Sequence, residues 1–176
     1  SRGVTNTPRR QPEQQAPPVQ KLQVRYAKRG RARFTSHRDF SRAFERALRR
    51  AGVPMAYSSG YNPHQRVSFA NASPTGAATE AEYLELGLAE VREPDAVRDQ
   101  LNAAMPDGLV IVKVVVASPG ALAERLTTSA WQVDLPDVVE AELSTAVAAL
   151  LAADSFEVQR GSIIAGDQVI ASSVPR

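Results

Sequence analysis

The chain has two histidines, His37 and His64, and both fall in the stretch from Phe34 to Phe69. Imidazole is the side chain whose ordinary pKa lies nearest neutrality. Two of them brought to one place could serve as base and acid on an RNA 2′-hydroxyl and its leaving oxygen. His64 follows Asn62-Pro63 in a turn-forming segment with no apolar pattern, where loops on a rigid scaffold often carry function. His37 has a plainer reading beside it. It borders an apolar stripe near Phe40 and Phe44, so a packed or capping histidine fits equally. A metal held by the two histidines with Glu82 or Asp39 is not expected, because no His-x-x-x-His spacing is present.

Arginines surround the two histidines. Arg29, Arg31 and Arg33 lie in a basic turn, Arg38, Arg42, Arg46, Arg49 and Arg50 in the run after His37, and Arg66 just beyond His64. Phe40, Ala43, Phe44, Ala47, Leu48 and Ala51 recur at the spacing of one helical face, which predicts a helix over about 37–51. Ser36 is placed to cap it, with Asp39 as a short capping-box partner. Gly52 suits the left-handed residue after the last turn, and Pro54 prevents continuation. The arginines fall off the apolar stripe and only Glu45 interrupts them. Like charges four apart repel by about 0.2–0.5 kcal/mol per pair. The helix dipole favours Arg49 and Arg50 in the last turn but not Arg38 in the first. Beside the reading of a solvated face stands that of a phosphate-facing surface, with His37, Asn62 and His64 as its specific site.

Charge is divided along the chain. Residues 1–66 hold 15 Lys/Arg against 3 Asp/Glu, a net of +12, and residues 67–176 hold 6 against 16, a net of −10. Such asymmetry points to a polyanionic partner for the first half, unless the halves neutralise each other in the fold. Tyr26, Phe34, Tyr57, Tyr61 and Phe69 are of the type that stacks on bases, though such rings more often serve core and loop packing. No Gly-rich phosphate loop is present. The chain has no cysteine, which excludes disulfides, thiolate zinc sites and iron–sulfur ligation by this chain. No apolar run approaches a membrane span and no signal-peptide core stands at the start, so a soluble cytoplasmic protein is expected.

These residues need a scaffold. Residues 1–20 carry Pro8, Pro12, Pro17 and Pro18 without apolar period and read as a disordered basic arm. Leu22, Val24 and Tyr26 alternate as a strand. Val53–Tyr57 reads as a second strand, with extended structure resuming at Val67 and Phe69, and residues 82–89 as a further strand. A second helix is expected over 93–105. Leu109–Ala117, nearly all Val and Ile, reads as a central strand buried on both faces. The order β-α-β-β-α-β predicts an α+β fold, a ferredoxin-like antiparallel sheet over 21–118 with two helices on one face. A partial second α+β unit is expected over 129–176: a short strand at Trp131–Leu135, a helix from Asp137 to about Ala153, a strand near Phe156, and a hairpin around Ala165-Gly166-Asp167.

The segments Phe34-Thr35-Ser36-His37-Arg38-Asp39, Glu45 to Gly52, Tyr57-Ser58-Ser59-Gly60-Tyr61-Asn62-Pro63-His64 and Ala81-Glu82-Tyr83-Leu84 resemble the bacterial radical-SAM-associated proteins, a domain family of unknown function, over about 21–160. Tyr61 stands where the family pattern carries Phe. After Arg160 this chain runs into Gly161-Ser162-Ile163 where relatives continue with a basic extended segment, so the tail Gly161–Arg176 departs from the pattern. The resemblance implies a bacterial cytoplasmic protein with a tie to RNA metabolism or ribosomes. This chain cannot itself perform radical-SAM chemistry, which needs three cysteines on an iron–sulfur cluster. The expectation is an accessory protein that binds structured RNA or a ribosomal particle through its arginines and uses no cofactor. Two alternatives stand beside it: a metal-independent RNA-processing enzyme using His37 and His64, and a docking or substrate-presenting partner of a radical-SAM enzyme.

Overall fold

A computed structural model of the chain describes residues 12–160 and 170–175, the stretches 156–160 and 170–175 by their backbone alone. Most of the expected basic arm, residues 1–11, lies outside the described residues, as does the expected turn at 165–167. The chain divides into two compact units, Ser1–Thr128 and Ser129–Arg176.

The first unit runs β1 (Gln20–Lys28), a 3-10 turn (Gly30–Phe34), α1 (His37–Arg50), β2 (Val67–Phe69), β3 (Thr79–Leu88), α2 (Pro94–Ala104), β4 (Leu109–Val116) and a single-turn α3 (Leu122–Arg125). The sheet order is β2-β3-β1-β4 with every pairing antiparallel. The fold is therefore α+β, and its strand order is that of a ferredoxin-like sheet. Leu22, Val24 and Tyr26 of β1 and Leu84, Leu86 and Leu88 of β3 alternate onto one buried face, as a period of two requires. α1 lays Phe40, Ala43, Phe44, Ala47 and Leu48 on that face. Phe40 is the centre of an aromatic stack, 4.2 Å from Tyr26 and 5.7 Å from Phe44 by ring centroids. Truncating Phe44 to Ala would cost about 3–5 kcal/mol through lost burial and the cavity left behind.

The ends of α1 follow from its sequence. Ser36 Oγ accepts the Asp39 N–H at 3.1 Å. Gly52 has φ +65°, and the Val53 N–H returns to the Leu48 carbonyl at 3.1 Å, a left-handed termination that favours glycine. α1 lies on the β2 side of the sheet, where His37 and Phe40 meet Phe69. α2 lies over β4, where its Asn102 reaches Ile111.

Two expected strands differ in this unit. β4 is not central: among the described residues it pairs with β1 alone and forms an edge. The register slips between Arg25 and Tyr26, so that Lys113 and Ile111 are partnered and Val112 is the extra residue. Asn102 then donates to the Ile111 carbonyl at 2.9 Å and accepts the Ile111 N–H at 2.8 Å, occupying backbone groups that an edge would otherwise offer to another chain. The segment Val53–Tyr57 is not a regular strand either. It contributes the isolated bridges Met55 to Leu88 and Tyr57 to Gln65, because Pro54 has no N–H to donate to a ladder.

The second unit consists of α4 (Glu140–Ala152) and the antiparallel pair β5 (Ser155–Arg160) and β6 (Ile170–Pro175). The expected strand at Trp131–Leu135 is irregular. Its alternating pattern finds no strand partner among the described residues, and one short strand cannot satisfy its backbone alone. No helix among the described residues is long and apolar enough to cross a membrane.

Candidate functional site

The basic stretch forms a surface. Arg38, Arg42, Arg46, Arg49 and Arg50 are all exposed on α1, opposite its buried stripe. Among the described residues none of the five side chains makes a hydrogen bond or an ion pair, and the same holds for that of Arg31 in the preceding turn. From Arg38 to Arg49 the helix rises about 16 Å, so the stripe is long enough to meet several phosphates. Arg33 lies with its guanidinium carbon 4.6 Å from the Phe34 ring centroid, a cation–π arrangement.

Arg29 and Arg66 are differently placed. Arg29 forms a two-point contact with Glu80, Nε to Oε1 at 2.6 Å and a terminal nitrogen to Oε2 at 2.8 Å. The hydrogen bonds raise the guanidinium pKa and hold the Glu80 carboxyl below its ordinary range. Arg29, expected to meet phosphate, is thus committed to an internal carboxylate. Arg66 donates Nε–H to the Tyr57 carbonyl at 3.1 Å.

The two histidines have different immediate neighbours. His37 is exposed at the start of α1, its ring edge-on to Phe69 at 4.6 Å. Phe69 is paired with Leu84 in the middle of β3, whereas the Arg66 carbonyl accepts the N–H of Gly87 near its end. Those levels are about 10 Å apart at the ordinary strand rise, and His64 lies two residues beyond Arg66, at the end of the sheet where α1 finishes. His64 has its own partner: Nδ1 lies 2.8 Å from Ser58 Oγ, which also accepts the His64 N–H at 3.1 Å. Among the described residues no group of three or more His, Asp or Glu is arranged to hold a metal ion.

A polar cluster that sequence reasoning missed sits under the start of α1. Lys28 and Glu82 are both buried, with Lys28 Nζ 3.8 Å from Glu82 Oε2. Lys28 reaches the Thr35 carbonyl at 3.4 Å and lies 5.6 Å from the Phe40 ring centroid. Glu82 Oε1 accepts the Ser73 N–H at 2.7 Å. The Tyr26 hydroxyl completes the group. Burial first, and the neighbouring Glu82 second, push its pKa far above the usual phenol range. Tyr26 Oη, Glu82 Oε2 and Ser73 Oγ are buried with no hydrogen-bond partner within bonding geometry among the described residues. The cluster ties the end of β1, the turn before α1 and the loop 71–79 to one point, and so positions the basic turn. The signal that could have found it is phase. Lys28 continues the inward series of Leu22, Val24 and Tyr26, and Glu82 that of Leu84, Leu86 and Leu88.

A shallow pocket of about 360 Å³ is lined by Val19, Gln20, Lys21, Glu85 and residues 116–120. None of the expected site residues contributes to it. No curated protein and no solved structure matches the chain. A family model matches residues 21–170, which cover α1 to α4, the first unit's sheet from Lys21 onward and most of the second unit. The chain belongs to that family, described as "uncharacterized protein conserved in bacteria" (DUF2344).

Proposed function

We propose that this protein binds structured RNA, free or within a ribosomal particle, as an accessory factor, with the outward face of α1 and the turn before it as the phosphate-contacting surface. One observation carries the reading: Arg31, Arg38, Arg42, Arg46, Arg49 and Arg50 are exposed on α1 and the turn before it, their side chains form no ion pair among the described residues, and α1 sets only Asp39 and Glu45 against its five arginines. A solvated helix ordinarily interleaves signs to gain small attractions. A face with five arginines against two carboxylates gives up most of those and raises the local concentration of a polyanion. Guanidinium groups also match phosphate oxygens two at a time. The catalytic alternative at His37 and His64 is the less favoured reading, since the His37 ring packs edge-on to Phe69 and Nδ1 of His64 is engaged by Ser58. A radical-SAM enzyme, the partner suggested by resemblance, is the second candidate. Recovery of RNA or ribosomal particles, rather than an iron–sulfur enzyme, on purification from cells would distinguish the two.

The test is the salt dependence of RNA binding. For Z neutralised phosphates, log K falls against log salt with a slope of about −0.9Z on duplex DNA and about −0.7Z on single strands. Arg38→Ala with Arg42→Ala should flatten the slope by about 1.4–1.8. Both side chains are exposed, so the fold should be retained. Unchanged affinity and slope in the folded double variant would remove α1 from the interface.

A further inference from the structure

The hairpin from Tyr57 to Arg66 stands at the β2 edge, at the end of the sheet where α1 finishes with Arg49 and Arg50. It is held in shape by its own bonds. The Arg66 N–H donates to the Ala56 carbonyl and the Ser58 N–H to the His64 carbonyl, each at 2.9 Å, and Tyr57 is bridged to Gln65. The side chain of Ser58 closes the loop by engaging both the amide and Nδ1 of His64. The nitrogen His64 has left for an outside partner is Nε2. Arg66 spends Nε–H on the Tyr57 carbonyl, which leaves its terminal nitrogens as donors. Within the same hairpin Tyr57 is 41% exposed and Tyr61 70% exposed, and Asn62 is exposed between Tyr61 and Pro63.

This set of groups fits one chemistry. An aromatic face stacks on any base, and stacking is the sequence-tolerant part of single-strand binding. Amide, imidazole and guanidinium groups meet base edges and phosphates, which only unpaired nucleotides present fully in RNA. A protein partner would call for exposed aliphatic surface, and the hairpin has no large exposed apolar side chain besides the two tyrosines. Its bonds fix the loop before binding, which lowers the ordering cost. We infer that the Tyr57–Arg66 hairpin captures unpaired nucleotides of an RNA whose backbone lies along α1; the inference rests on the RNA reading above. Phosphate contacts on the helix then set position while the hairpin selects for strand state.

The test uses the full chain with two probes, a blunt RNA duplex and the same duplex carrying a single-stranded uridine extension. The expected result is tighter binding of the extended RNA. Tyr61→Ala and Tyr57→Ala should each lose about tenfold on the extended RNA, within the range of one stacked base, and leave the blunt duplex unaffected. Ser58→Ala, which frees the His64 ring and keeps both tyrosines, should lose part of the same preference. Arg38→Ala with Arg42→Ala should weaken both probes alike. Equal binding of the two probes by the parent chain, or equal loss on both in Tyr61→Ala, would overturn the hairpin's role and leave RNA binding standing. Failure of the parent chain to bind either probe would overturn the RNA reading, and the inference with it. Unchanged thermal unfolding of the tyrosine variants confirms that the loss is not one of fold.

Discussion

Lys28 Nζ lies 3.8 Å from Glu82 Oε2, with the two side chains only 2% and 4% exposed. That is close enough for attraction and too far for a hydrogen bond. A buried pair in this condition regains little of its desolvation cost, yet removing one partner is worse, because the other charge is left uncompensated. Glu82→Gln should therefore lower the unfolding free energy by about 3–5 kcal/mol. Lys28→Met combined with Glu82→Leu, which removes both charges, should come back close to the parent. Urea unfolding of the three chains measures this. A double variant as unstable as the single one would show that shape, not charge, holds the cluster.

Asn102 supplies what a neighbouring strand would supply to Ile111, a donor and an acceptor at 2.9 and 2.8 Å. Asn102→Ala should cost about 1–3 kcal/mol, the penalty for backbone groups left unpaired at a partly buried site. It should also expose the edge of a Val- and Ile-rich strand to pairing between molecules. Denaturant midpoints report the first effect and light scattering during refolding the second. A variant with the parent's stability and solubility would show that solvent serves Ile111 equally well.

Much of this architecture is local in origin and therefore legible in the chain. The stripe from Phe40 to Leu48, the Ser36 cap and Gly52 specify α1 without reference to anything distant. The alternation in β1 and β3 likewise specifies their inward faces. Arginine exposure on α1 follows from the same periodicity. What was not legible depends on long-range pairing. Nothing within Leu109–Val116 says whether one neighbour or two will flank it, and the clamp from Asn102 is visible only once α2 is docked. Lys28 was hidden by its neighbours, since Lys28-Arg29-Gly30-Arg31 looks like a turn while its first residue still belongs to the strand. The commitment of Arg29 to Glu80 spans 51 residues.

The Arg29–Glu80 pair has a pH signature. Hydrogen bonding to Arg29 holds the folded-state pKa of Glu80 below its ordinary value of 4.5. A carboxyl with a depressed folded pKa contributes stability that is present above the unfolded pKa and lost as pH falls through the folded one. The contribution should therefore persist at neutral pH and disappear on acidification below about 4.5. Both side chains are largely exposed, so the effect on stability is small and the titration itself is the better readout. The side-chain carboxyl carbon of Glu80, followed by NMR, should titrate below an ordinary Glu and return toward it in Arg29→Ala. That variant should also leave the salt slope of RNA binding nearly unchanged, in contrast to Arg38→Ala with Arg42→Ala.

Gly108 and Gly52 separate the position of the basic turn from the general cost of a left-handed residue. Both have positive φ, +81° and +65°. A Cβ on Gly52 would meet nothing within 4 Å, whereas one on Gly108 would lie 2.7 Å from the Arg29 carbonyl oxygen and 2.8 Å from Ala32 Cβ. Gly52→Ala should lose about 1–2 kcal/mol from backbone strain alone. Gly108→Ala carries the same strain and must in addition displace the turn from Gly30 to Phe34, whose first contact is the Arg29 N–H to the Gly108 carbonyl at 2.8 Å. That turn presents Arg31 and Arg33. Gly108→Ala should accordingly be the less stable of the two and should weaken RNA binding at temperatures where it remains folded, while Gly52→Ala should bind as the parent does. Thermal unfolding and RNA titration of both variants make the comparison. Equal binding by a folded Gly108→Ala chain would show that the turn before α1 contributes no phosphate contact and would confine the interface to α1 and the hairpin beyond it.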